Sequence, residues 1–254
     1  MLVGANFYVT TCFSWFKFSR DESRGLQKMG KLSMEDVFKA LAKPLPDFEV
    51  KPKKTAVLLI DMQKLVSSET LLHEALREGL PEQEVREALK EYDERVKRVV
   101  RNARRILDAC RKRGFDIVHI KLGAQTRDPR HTAKINRKAG FIVPIDAEIG
   151  KFFEEVGPVK GELVFSKTNG GAFTGTNLDF VLRNMDIESI VIMGFLTDQC
   201  VLATAVHGAD LGYDVLLVGD ACGGTTKENH DAVVRFARDV FLKVKSTDDL
   251  LHAL

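Results

Sequence analysis

Cys200 stands in GFLTDQCVLATAVHGADLGY, just past an apolar run, SIVIMG, that ends at Gly194. A helix starting near Thr197 or Asp198 puts Cys200 in its first turn. The free amides there act as partial positive charge, which favours thiolate, lowers the pKa and can hold an oxyanion. Burial as an inert structural thiol is the usual fate of a free cysteine, but a strand-to-helix junction at a ligand-binding edge favours reactivity. Asp61 follows TAVLLI, where a carboxylate is costly to desolvate unless something pairs with it. By position alone a helix cap or a surface turn accounts for it equally well. Lys167 ends ELVFSK and precedes TNGGAFTGTNLD. Alone it reads as a snorkelling strand terminus; beside a carboxylate and a thiolate it stabilises the anion.

Other chemistries fit less well. His207 lies seven residues after Cys200, about 10 Å along a helix axis at 1.5 Å per residue, too far for a direct dyad. His119 lies inside a strand and can face either side; His73, His131, His230 and His252 read as loop or helix-surface residues. HExxH and paired-cysteine zinc spacings are absent, as are GxxxxGK[ST], GxGxxG and GxSxG, so spacing suggests no metal, phosphate loop, dinucleotide or serine elbow. Cys110 falls on an apolar helix stripe and reads as core. Cys222 follows GDA at a strand end, within reach of the site as a secondary thiol.

The elements that must position these residues alternate. Strands read at TAVLLID, FDIVHI, ELVFSK, SIVIMG, YDVLLVG and VFLKVK. The continuous apolar run of the first suits a strand buried on both faces of a parallel sheet. Val85, Leu89, Tyr92, Val96, Val99, Ala103, Ile106 and Cys110 step by four and three along one face of a long helix. Glu91 with Arg95 and Glu94 with Arg98 form pairs on its solvated side, and Gly114 ends it. Further helical patterns lie near 176–184, 199–211 and 228–238, and 123–145 reads as a long basic loop over the site. The alternation predicts an α/β protein, a Rossmann-like three-layer αβα sandwich on a six-stranded, mainly parallel sheet, with the site at the carboxyl ends of the strands.

The 254 residues and 44% hydrophobic content suit one large domain over 34–254, with residues 1–33 as an extension and Ser33 capping a short helix, MEDVFKALA. A net charge of +2 implies no nucleic-acid partner. No stretch approaches the ~20 apolar residues of a membrane span. The N-terminus lacks a basic n-region, and the 4 cysteines form no framework, so the sequence reads as cytoplasmic and reduced.

Together, LLIDMQ with Asp61, SKTNGGAFTGTNLD with Lys167, and GFLTDQCVLATAVHGADLGYDVLLVGDAC with Cys200 resemble the isochorismatase-like superfamily over roughly residues 54–245. The resemblance implies a catalytic triad of Asp61, Lys167 and Cys200, and a cis peptide at Phe195–Leu196 that turns the Leu196 amide toward an oxyanion beside that of Cys200. It also places Gln63 and Phe173 at the pocket, in a protein that assembles as a homo-oligomer, dimer or tetramer. Thr197 and, from the basic loop, Arg127 are further candidates for substrate binding, Arg127 as a fork for a carboxylate. The metal-binding Asp-x-His pattern of the nicotinamidases is missing from SSETLLHEALREGLPEQ, which disfavours nicotinamide and a metal; no cofactor is expected. A complete triad favours cysteine attack on a small amide or ureido carbonyl, with release of ammonia or an amine. Vinyl-ether cleavage of isochorismate and an inactive small-molecule binder are the alternatives.

Overall fold

The computed structural model describes residues 32–41, 44–238 and 240–254. Most of the expected extension, Cys12 included, lies outside the described residues. Helix α1 (Met34–Leu41) belongs to a unit of its own. Ser33 caps it as expected: the Asp36 amide donates to Ser33 Oγ at 3.1 Å, and the Ser33 amide donates back to the Asp36 carboxylate at 2.9 Å.

In the second unit, Leu45–Leu254, six strands form one sheet: β1 (Thr55–Ile60), β2 (Asp116–Leu122), β3 (Leu163–Lys167), β4 (Ser189–Phe195), β5 (Asp214–Gly223) and β6 (Lys243–Lys245). Their order is β3-β2-β1-β4-β5-β6, and every neighbouring pair is parallel. β1 is central, and Ala56 through Ile60 have no exposed surface, which explains a run with no polar alternation. The chain winds outward from β1 through β2 to β3, then returns to β4 on the other side of β1. That reversal places a crevice at the carboxyl ends of β1 and β4. β6 is shorter than VFLKVK suggested, because Val240 lies in an exposed turn.

The remaining helices are α2 (Ser68–Arg77), α3 (Glu82–Lys112), α4 (Lys134–Lys138), α5 (Leu178–Asn184), α6 (Leu202–Asp210), α7 (Lys227–Ala237) and α8 (Thr247–Ala253). They cover both faces of the sheet. A Cβ on Gly208 of α6 would stand 2.8 Å from Ile190, while one on Gly223 would meet Phe195 and Val99 of α3. Ile190 and Phe195 are five residues apart on β4, so they point to opposite faces. The α3 stripe is core from Val96 to Cys110, and Gly114 ends the helix at φ 74°. Arg95 departs from expectation: it is only 11% exposed, turning inward to the carbonyls of Gly224 and Thr225 as well as pairing with Glu91. Glu94 pairs with Lys97.

Candidate active site

Three strand ends deliver three side chains to one point. Asp61 follows β1 with a positive φ of 49°, and its amide donates to the Ile120 carbonyl at 2.9 Å. Lys167 is the last residue of β3, paired in register with Leu122. β2 separates β3 from β1, a span of about 10 Å at 4.8 Å per strand, so a four-carbon stem is needed to cross it. Cys200 follows β4 in a π-wound turn, Thr197–Val201, that continues into α6. The peptide between Phe195 and Leu196 is cis. Gly194, at φ 135°, approaches β1 so closely that a Cβ there would lie 2.0 Å from the Ile60 carbonyl oxygen. Only glycine allows β4 to come that near the residue preceding Asp61.

The Lys167 ammonium is fully buried and donates three times: to Asp61 Oδ2 at 2.7 Å, to the Asn169 carbonyl at 3.0 Å and to Cys200 Sγ at 3.2 Å. Those three contacts exhaust its hydrogens. The other carboxylate oxygen, Asp61 Oδ1, is buried and has no partner. Burial pushes the Asp61 carboxyl above its ordinary range, against the pull of Lys167 and Cys200. Burial also opposes the Lys167 charge, but Asp61 and Cys200 outweigh it and raise its pKa. For Cys200 the lowered pKa expected of a helix terminus gives way: burial, then the Asp61 charge, push the thiol up to about 12, and Lys167 offsets this only in part. The resting site therefore holds a protonated thiol beside the Lys167–Asp61 pair, with one Asp61 oxygen free.

The remaining candidates are placed differently. Gln63 is fully buried, and its amide is spent on main chain: Nε2 donates to Leu122 and Gly150 carbonyls at 3.0 and 2.8 Å, and Oε1 accepts from the Leu122 amide at 2.8 Å. It ties β2 and the Gly150 loop together beside Asp61 instead of offering groups to a ligand. Phe173 belongs to the core, stacked on Tyr213 and edge-on to His207, each at 5.7 Å. The Ala172 amide, bound to Thr204 Oγ1 of α6 at 3.0 Å, turns that loop inward. Arg127 is 91% exposed, with its nearest anion, Asp146, at 3.9 Å. Thr197 has no exposed surface, and its hydroxyl bonds His230 Nδ1 at 2.8 Å. His230 is thus no simple surface residue; no sequence signal marks it, because the pair stands 33 residues apart.

His119 faces inward, bound to Glu162 at 2.8 Å. His207 lies beside Thr174. Cys222 is buried within β5, opposite Gly194, with burial pushing its thiol to about 12. Among the described residues, no cluster of three or more His, Cys, Asp or Glu could hold a metal ion, and no helix is long and apolar enough to cross a membrane. A cleft of about 640 Å³ between α2 and Glu148–Phe153, and one of about 420 Å³ between α3 and α7, are lined by no residue of the Asp61–Lys167–Cys200 cluster.

Residues 55–249 match the family model described as Isochorismatase domain. The chain is 30% identical over 158 residues to the uncharacterized isochorismatase family protein YwoC of Bacillus subtilis, spanning 61% of this chain and 82% of that one. It is 26% identical over 197 residues to the ureidoacrylate amidohydrolase RutB of Agrobacterium fabrum, spanning 71% and 80%. Among solved structures, a cysteine hydrolase from Pseudomonas syringae pv. phaseolicola superposes with a TM-score of 0.69 at 19% identity, covering 84% of this chain and 98% of that one. That likeness establishes the same α/β fold.

Proposed function

Because this chain belongs to the isochorismatase family of hydrolases, we propose that it cleaves a C–N bond of a small amide or ureido compound through a thioester on Cys200. The observation that carries the reading is the Lys167 ammonium shared between Asp61 Oδ2 and Cys200 Sγ, with Asp61 Oδ1 left free. The similarity to an amidohydrolase acting on ureidoacrylate supports the substrate class.

The thiol is protonated at rest, so attack needs a base. Asp61 Oδ1 is the free acceptor, and burial makes that carboxylate a stronger base than one in water. In the proposed cycle Asp61 takes the Cys200 proton while sulfur bonds to the carbonyl carbon. Asp61 becomes neutral as it takes the proton, Lys167 stabilises the thiolate character of the attacking sulfur, and the amides of Leu196 and Cys200 receive the oxyanion. Collapse breaks the C–N bond, and Asp61 returns the proton to the departing nitrogen. Water then attacks the thioester, giving one proton to Asp61, which passes it to the leaving thiolate. Gln63 and Thr197 position this machinery from behind.

The reading extends to a cytoplasmic homo-oligomer, dimer or tetramer. The exposed apolar side chains of Ile135, Phe141, Phe180 and Phe236 support association, and three free cysteines among the described residues suit a reducing compartment. The test is ammonia release from a panel of primary amides and ureido compounds. Wild type should release it and Cys200→Ala should not, with both equally folded by circular dichroism. Turnover retained in Cys200→Ala would overturn the scheme.

A further inference from the structure

We propose that Asp198 is a positioning residue for Cys200, fastening the cysteine turn to the N-terminal end of α7. The proposal rests on the reading of Cys200 as nucleophile. The turn Thr197–Val201 is wound more widely than an α-helix. The Leu196 carbonyl accepts from the amides of Gln199 and Val201, at 3.0 and 3.2 Å, passing over Cys200. Such a turn is rare and gains little from its own hydrogen bonds, so its shape depends on what holds it from outside.

Two sets of contacts from α7 and the residues leading into it do so. The Asp198 carboxylate accepts from the Thr225 amide at 3.0 Å, from Thr225 Oγ1 at 2.5 Å and from Asn229 Nδ2 at 3.1 Å. One residue earlier, the Thr197 hydroxyl bonds His230. The far side of this joint is itself fixed. Arg95 of α3 donates to the Gly224 and Thr225 carbonyls at 3.0 and 3.3 Å, and a Cβ on Gly224 would stand 3.0 Å from His230 Cβ. A continuous path of bonds therefore runs from the long helix through Arg95 and Thr225 to Asp198, two residues before Cys200. On the opposite side Cys200 Sγ meets Lys167 at 3.2 Å, a contact that a displacement of about 1 Å would break. Misplacement on that scale costs on the order of a hundredfold in rate. Asp198 touches neither the thiol nor Lys167 in this arrangement, so its effect passes through the backbone of the turn.

The test uses Asp198→Asn, which keeps the shape but sets an amide against Asn229, and the pair Thr225→Val and Thr225→Ser, which removes and then restores one donor. Asp198→Asn and Thr225→Val should lower kcat at least about tenfold with KM within about twofold, and Thr225→Ser should recover to within about threefold of wild type. A purely structural role would not give that split or that rescue. Wild-type kcat in Thr225→Val, or a Thr225→Ser no better than Thr225→Val, overturns the clamp, and the threonine pair carries the test should Asp198→Asn fail to fold. Ammonia release by Cys200→Ala separates the two claims. Turnover retained there sinks the nucleophile reading and the clamp with it; turnover lost there, with indifferent Asp198 and Thr225 variants, sinks the clamp alone.

Discussion

Replacing Lys167 by Met keeps most of the length of the side chain, one atom short, and removes its charge. Asp61 Oδ2 then loses its partner at 2.7 Å, in a place where the two side chains are 0 and 4% exposed. Oδ1 has no hydrogen-bond partner to begin with, so the variant confines a carboxylate that has lost its ion-pair partner. Breaking a buried pair from one side costs about 3–5 kcal/mol. The carboxyl can escape most of that cost by keeping a proton. Burial already raises its pKa, and Lys167 is the largest influence pulling it back, so the variant's folded pKa lies higher still. The sign follows: a group whose folded pKa is raised binds its proton more tightly in the folded state. Its contribution is fully present below the ordinary carboxylate value and is lost as pH rises toward the folded one, by up to about 1.4 kcal/mol per pH unit. Urea unfolding should show Lys167→Met destabilised by about 3 kcal/mol or more at pH 8 and by clearly less at pH 5. Adding Asp61→Asn should recover much of the loss and flatten its pH dependence. A penalty under about 1 kcal/mol, or one equal at both pH values, would refute the claim that Lys167 neutralises a desolvated Asp61.

Gly194→Ala would drive a Cβ to 2.0 Å from the Ile60 carbonyl oxygen. The strand ends must part, costing about 3 kcal/mol or more with a collapse of activity, read as a fall in Tm and in ammonia release; near-wild-type values would contradict the close approach. Gln63→Met strands three buried main-chain groups of Leu122 and Gly150, at about 1–3 kcal/mol each. Its Tm should fall while KM holds across the amide panel; a selective rise in KM would return Gln63 to substrate binding. Glu162 is drawn from 4.5 to about 2: burial opposes this, but Arg111, the Val159 amide and His119 prevail. Its stabilisation, about 1–2 kcal/mol after screening, is present above its ordinary pKa and lost as pH falls from about 4.5 toward 2. Glu162→Gln should narrow its stability gap to wild type over that window, and a constant gap would count against it.

The sheet was legible because it rests on local patterns, and the grouping of Asp61, Lys167 and Cys200 was legible through the resemblance carried by three motifs; the structure brings those three side chains together. TAVLLI can be buried on both faces only in the middle of a parallel sheet, and Asp61 just after β1, Lys167 at the end of β3 and Cys200 in the turn after β4 stand at strand ends that converge in space. What escaped the sequence depends on partners far along the chain. Gln63 sits beside Asp61, yet its amide is consumed by Leu122 and Gly150, contacts 59 and 87 residues away. Phe173 looked available in a glycine-rich loop, but Tyr213 and His207 enclose it. Arg127 had the right chemistry for a carboxylate and the wrong exposure. The state of the Cys200 thiol is the instructive case: one helical turn argues for a low pKa, and only the packed structure shows the burial and the Asp61 charge that push it up. Helix α2 went unseen because its residues make no buried stripe.

The central claim is that Cys200 carries the acyl group. A substrate that releases ammonia should be mixed with excess enzyme, quenched in acid within one turnover and digested, and the peptide bearing Cys200 weighed. The account predicts a mass increase equal to the acyl fragment on Cys200, absent in Cys200→Ala and reversed by hydroxylamine. Ammonia released in the same quench with Cys200 unmodified, or an adduct at another residue, would contradict it.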